Sequence, residues 1–153
     1  MNQSSCFQNN LVDLSNAPWT MHEFFAGSGL VAYGLKGMFK PIWANDISEQ
    51  KAAVYKENFG DGYFKLDDIK NIDGKNLPFA NLSWASFPCQ DLSLAGSLGG
   101  IHASRSGLVW EWLRVLDEMP NKPKILLLEN VLGLLSTNGG DNYRALHMSL
   151  VER

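Results

Sequence analysis

The sequence predicts an α/β fold, a doubly wound and mostly parallel sheet, and three observations predict it. Short apolar runs alternate with segments of helical length. The most apolar run, Ile125 to Leu128, reads as a buried parallel strand. Glycines and acidic residues fall where the strands end, the edge at which such sheets hold ligands.

The elements follow in order. Residues 1–18 are a polar lead-in, and 19–153 form the folded domain. Trp19 to Phe25 reads as a strand that ends at Gly27-Ser28-Gly29. Leu30 to Gly37 reads as a short helix, with Gly37 stopping it as a C-cap residue would. Pro41 to Ala44 is the second strand. Ser48 to Phe59 is a helix with Ser48 as its N-cap and Ala52, Ala53, Tyr55 and Phe59 for its inner face. Tyr63 to Leu66 and Leu82 to Phe87 are further strands, and a Gly- and Ser-rich loop runs from Pro88 to Gly107. Leu108 to Met119 is amphipathic and stops before Pro120, and Asp141 to Arg153 is a last helix.

The chain has 153 residues, the size of one domain, of which 45% are hydrophobic and 19% charged. That composition argues against disorder. The net charge of −3 is the wrong sign for a self-sufficient DNA-binding surface, since affinity for the duplex comes largely from cations that neutralise phosphates. Cys6 and Cys89 read as free thiols in a reducing compartment. No CxxC pair or histidine cluster stands at ligand spacing, so no metal is expected. No apolar run approaches the roughly 20 residues that span a bilayer, so the expected location is the cytoplasm.

Phe25-Ala26-Gly27-Ser28-Gly29 sits where the first strand meets the first helix, and glycines there permit a tight turn and close approach to a ligand. Alone, it is equally a structural turn. Asp46 closes the second strand, where an acid can accept from ribose hydroxyls, and Asp68 follows the third. Together these describe a nucleoside pocket, and nothing in the spacing separates a dinucleotide from S-adenosylmethionine. Cys89, after Pro88 and at the head of the long loop, stands where a nucleophile belongs, although a lone cysteine after a strand is usually a small core residue. Glu129 ends the most apolar strand. Partial desolvation there would raise its pKa and suit it to proton donation, and capping of the next element is the plain alternative.

In order and spacing, FFAGSG, WANDI, DDI, SFPCQDLSLAG, RSG and LLLENVLGLL resemble the opening motifs of the cytosine-C5 DNA methyltransferases. The resemblance covers about Met21 to Leu150. It implies a Rossmann-like methyltransferase fold, S-adenosylmethionine as cofactor, and double-stranded DNA as partner, in an enzyme of restriction-modification type from a bacterium or phage. It places Phe25, Ala26, Gly27, Ser28 and Gly29 around the methionine end of the cofactor, Asp46 on the ribose and Ile47 on the adenine. Asp68 and Ile69 fall at the adenine edge, and Pro88 and Leu108 complete the pocket. Cys89 matches the nucleophile that attacks C6 of a flipped cytosine, and Glu129 the residue that contacts N3 and the exocyclic amine. Phe87, Gln90, Ser93, Arg105, Asn130 and Val131 fall at substrate-binding positions, with Arg105 in the loop that closes over DNA.

Three departures stand out. Leu30 replaces a further glycine, and Asp46 replaces the family's usual glutamate. The family's later motifs, including the target-recognition region, find no match here. An incomplete enzyme is therefore expected, inactive alone: a truncated piece of a longer enzyme, a decayed gene product, or one subunit of a split enzyme whose complementing chain carries the DNA-reading surface. Three rivals compete. A nonenzymatic homologue would typically lack Cys89 or Glu129, and a Rossmann dehydrogenase would want a full GxGxxG. A transfer-RNA methyltransferase shares these motifs and would be told apart by the variable region. Trp84, Trp110, Trp112 and Phe64 read as core, His102 as a solvated loop residue, and His22 and His147 have no partner visible in the sequence.

Overall fold

The computed structural model describes residues 11–88 and 107–153. Five strands, β1 (Trp19–Phe24), β2 (Phe39–Asp46), β3 (Phe64–Leu66), β4 (Leu82–Ala85) and β5 (Ile125–Leu128), form one parallel sheet in the order β3-β2-β1-β4-β5. The chain winds outward from β1 to β3, then resumes on the other side of β1 as β4. The reversal between β1 and β4 is a topological switch point, where a crevice opens beyond the strands' C-terminal ends. The doubly wound parallel sheet expected from sequence is the fold found.

The helices are α1 (Leu30–Leu35), α2 (Glu49–Phe59), α3 (Leu108–Glu118), α4 (Gly133–Ser136) and α5 (Asp141–Val151). Alternation along β1 divides the core between the two faces of the sheet. Met21 turns toward Ala32 of α1 and Ala52, Tyr55 and Phe59 of α2. Phe24 turns toward Val109, Trp112 and Leu116 of α3 and Leu146 of α5. Each large side chain so buried contributes about 1.5–3 kcal/mol. Val12 and Leu14, from the lead-in, pack against the first of these clusters.

Ser48 caps α2 as expected, its side chain accepting from the Lys51 amide at 3.4 Å. Four local expectations are corrected. α1 ends at Leu35 with Lys36 as its cap, and Gly37 is not among the glycines with positive φ, so it is not the αL stop. Ala53 is exposed, because the inner face of α2 is set by Ala52, Tyr55 and Phe59. β5 is an edge strand whose Leu126 and Leu128 pack on the core while Ile125 and Leu127 stand 45% and 44% exposed. Apolar sequence identifies such a strand but does not say whether one face or both are covered. The link from β3 to β4, which the sequence left without structure, forms two short 3-10 turns at Ile69–Asn71 and Gly74–Asn76. Among the described residues no helix is long and apolar enough to cross a membrane.

Candidate functional site

The β1–α1 turn is strained. Phe25 has φ 56°, a left-handed conformation that is rare for a bulky residue and costs on the order of 1–3 kcal/mol. Gly27 (φ 57°) and Gly29 (φ 87°) take the same hand at no steric cost. Gly29 also has no room for a side chain, because a Cβ there would lie 2.5 Å from Cε2 of Phe59. The outer side of Gly27 is open. Ala26 is buried and its amide donates to the Asn45 carbonyl at 2.8 Å, while Ser28 is half-buried.

The next strand end holds this turn. Asp46, 8% exposed, accepts the Gly27 amide on Oδ2 at 2.8 Å and the Ser48 amide on Oδ1 at 2.9 Å. Two of the roughly four lone-pair positions of the carboxylate are thereby used. Asn45, buried beside it, donates from Nδ2 to the carbonyls of Lys65 (3.0 Å) and Asp67 (2.8 Å), which fixes the chain leaving β3. Asp67 accepts from the Asn71 side chain and the Asp68 amide, both at 2.9 Å. The Asn71 hydrogen bond, with the nearby Lys65, holds its carboxyl below the usual carboxylate range. Asp68 caps the first 3-10 turn through the Lys70 amide at 3.0 Å, and Ile69 is buried.

Arg114 of α3 pins that turn from the other side. Its guanidinium donates to the carbonyls of Ile69 and Ile72, each at 3.1 Å, while Glu111 (2.7 Å) and Glu118 (2.6 Å) hold the guanidinium itself. Glu118 also accepts the Gly74 amide at 2.9 Å.

These strand ends enclose a cleft of about 210 Å³. Phe25, Asp46, Ile47, Asp68, Ile69, Pro88 and Leu108 line it, so every expected cofactor position outside the glycine turn faces one space. Asn45, Ser48, Lys51, Asp67 and Ser86 line it too, and none of these was singled out from sequence as a site residue. Each had a signal, since Lys51 lies one helical turn beyond the Ser48 cap and the others adjoin motif residues. Ile47 is 68% exposed, an apolar side chain standing at the cleft mouth without cover.

Cys89, Gln90, Ser93 and Arg105 lie outside the described residues, as does His102. Their neighbours are placed. Pro88 is exposed on the cleft wall, and Phe87 is a core residue at 4% exposure. Asn130 donates from Nδ2 to the Phe87 carbonyl at 2.8 Å, and the Glu129 amide donates to the Ala85 carbonyl at 3.0 Å. The end of β5 is thus tied to the chain just before Cys89. Val131 is 53% exposed. Glu129 is itself exposed, which corrects the expectation of a partly desolvated carboxyl, because β5 is an edge. His22 is also corrected: it is fully buried, with Nε2 2.7 Å from the Pro78 carbonyl, and burial lowers its pKa.

The family model for C-5 cytosine-specific DNA methylases matches residues 19–152. The Type II methyltransferase M.Bsp6I of Bacillus sp. (strain RFL6) is 33% identical over 129 residues, which are 82% of this chain and 40% of that protein. M.PspPI of Psychrobacter sp. (strain TA137) is 36% identical over 124 residues, 80% of this chain and 29% of its own length. The chain therefore spans 40% or less of these two relatives. Among solved structures, the Dnmt2 methyltransferase of S. pombe superposes with a TM-score of 0.64 at 24% identity, over 85% of this chain and 39% of its own, a likeness of fold.

Proposed function

The chain belongs to the C-5 cytosine-specific DNA methylases, and from that premise we propose that it is the cofactor- and nucleophile-bearing part of a restriction-modification methyltransferase. The proposed reaction moves a methyl group from S-adenosylmethionine to C5 of a cytosine flipped out of duplex DNA. One observation carries the reading: a single cleft beyond β1, β2 and β3 gathers the strained turn, Asp46, Asp68 and three apolar side chains, with Pro88 on its wall one residue before Cys89.

The residues present fit the cofactor. The open side of Gly27 leaves room for the methionine end, Asp46 retains lone pairs for ribose hydroxyls, and Ile47, Ile69 and Leu108 offer apolar contact to adenine. When bound, S-adenosylmethionine would supply an electrophilic methyl group to the ring carbon that Cys89 makes nucleophilic, its S–CH3 bond breaking to leave the neutral thioether. The Cys89 thiolate adds to C6, and the electron pair of the 5,6 double bond moves toward C5. Glu129 hydrogen-bonds N3 and the 4-amino group of the ring, which favours that addition. Loss of the C5 proton to a base then restores the double bond and expels Cys89 as thiolate. The base must leave the helical stack first, at a cost of a few kcal/mol.

DNA reading is assigned to polypeptide outside these 153 residues, whether continuous with them or a complementing chain. The net charge of −3 and the 40% span of M.Bsp6I support that division. Labelled methyl transfer from S-adenosylmethionine to cytosine-containing duplex DNA tests the proposal, with the protein complemented for target recognition. Transfer is expected, and Cys89→Ser is expected to abolish it while leaving cofactor binding within about twofold. Undiminished transfer by Cys89→Ser would sink the covalent mechanism.

A further inference from the structure

β1 carries a carboxyl that the chemistry above does not use. Glu23 has 0% exposure and lies on the sheet face covered by α1 and α2, whereas its neighbour His22 turns to the opposite face, against Phe24 and Trp43. Its Oε1 accepts the amide of Ala32, in the first turn of α1, at 3.3 Å. Its Oε2 accepts the hydroxyl of Tyr55, from α2, at 3.0 Å. One side chain on the central strand therefore bridges the two helices that leave the cleft.

Tyr55 completes the link to the turn. A Cβ built on Gly29 would lie 3.0 Å from Cδ2 of Tyr55, so the ring that holds Glu23 also forms the floor under Gly29. Space filling alone does not explain a glutamate here. An apolar residue would pack against Met21, Ala32 and Tyr55 without the cost of burying an ionisable group.

We propose that Glu23 is a positioning residue for the cofactor turn: through Ala32 and Tyr55 it fastens α1 to α2, and taking up a proton loosens that hold. The proposal rests on the reading that Gly27 to Gly29 receives S-adenosylmethionine. The ionised carboxylate accepts on both oxygens, and hydrogen bonds to a charged acceptor are roughly twice as strong as neutral ones. A protonated carboxyl must turn one oxygen into a donor. Burial pushes the Glu23 carboxyl up to about 7, against the opposing effects of the Tyr55 and Ala32 hydrogen bonds. The titratable groups facing it are Tyr55 and Tyr63, both kept neutral by burial and by the carboxylate itself. Among the described residues no lysine or arginine contributes to its shift.

The test is S-adenosylhomocysteine binding to the 153-residue chain by calorimetry from about pH 6 to about pH 8, with the Glu23→Gln profile as the control for titration of the ligand's own amino group. The Ala32 amide is followed by NMR without ligand over the same range. For the unaltered chain, affinity is expected to rise several-fold with pH and the Ala32 resonance to titrate, both with a midpoint near 7. Glu23→Gln, which keeps the shape and an acceptor for Ala32, should bind about as the unaltered chain does at the acid limit, with a flat profile and a silent Ala32. Glu23→Ala should lose about tenfold in affinity or more, and where it fails to fold the glutamine variant decides. An unchanged pH profile in Glu23→Gln, or an Ala32 amide that ignores pH in the unaltered chain, overturns the proposal. A titrating Ala32 in a chain that binds no S-adenosylhomocysteine at any pH overturns instead the cofactor reading on which it rests.

Discussion

Two acidic residues, Asp46 and Glu23, organise the edge of the sheet that carries the candidate site, and they do so by different physics. Asp46 sits at a strand end and is satisfied by two backbone amides, so it joins the glycine turn to α2 while keeping lone pairs for a ligand. Glu23 is enclosed, and its burial has a measurable signature. The native state holds a proton on it up to about pH 7, whereas the unfolded chain releases that proton near the ordinary value of 4.5. Between those values the native state binds more protons than the unfolded state, so stability from this group falls as pH rises. Above about pH 7 the loss is complete. Urea denaturation across that window is expected to show the decline, and Glu23→Gln is expected to flatten it by the contribution of one carboxyl. A slope that survives the substitution would assign the effect to other groups.

Between strands, the 3-10 segment after β3 is capped by its own Asp68 and Asp73 and is pinned against α3. Arg114 gathers carbonyls from Ile69 and Ile72, and Glu118 anchors Gly74. At Gly74 the segment lies so close to α3 that a Cβ would stand 2.1 Å from the Val115 carbonyl oxygen, which is backbone and unable to yield. Gly74→Ala is therefore expected to cost about 1–3 kcal/mol by overpacking, read by chemical denaturation. Gly62→Ala is its control: a Cβ there meets nothing within 4 Å, and its effect should stay within about 0.5 kcal/mol. Equal losses at the two sites would show that α3 does not hold the segment. Because Asp68 and Ile69 belong to the same segment, Gly74→Ala should also weaken cofactor binding although it touches no cleft residue.

Across the whole molecule, burial is uneven from the centre of the sheet to its β5 edge. Leu82, on β4, is fully enclosed between the helices and β1, whereas Leu127, on the edge strand β5, is 44% exposed. Leu82→Ala should cost about 2–5 kcal/mol, and the same truncation at Leu127 about 1 kcal/mol or less, by urea denaturation. A large loss at Leu127 would mean that the outer face of β5 is covered in solution. The exposed side chains continue beyond the strand through Val131, Leu132 and Leu135, along the connection that follows Glu129.

Periodicity and punctuation made the sheet legible. Strand ends, helix lengths and the Ser48 cap depend on residues close in sequence, and so do the glycine turn and the acids that follow β2 and β3. The family resemblance likewise reads contiguous motifs, and the match over residues 19–152 agrees with it. Ala53 and the cover of β5 were not legible, because each depends on what another element places opposite. His22 and Glu23 look like an ordinary polar pair in a strand. Only the packed sheet turns one toward Pro78 and the other toward Tyr55 and Ala32, partners that lie 9 to 56 residues away along the chain. The sequence by itself determined the strand ends at which the candidate cofactor residues fall. Tertiary structure decided which of them share a space, since hydrogen bonds and burial act across distances that local sequence does not encode.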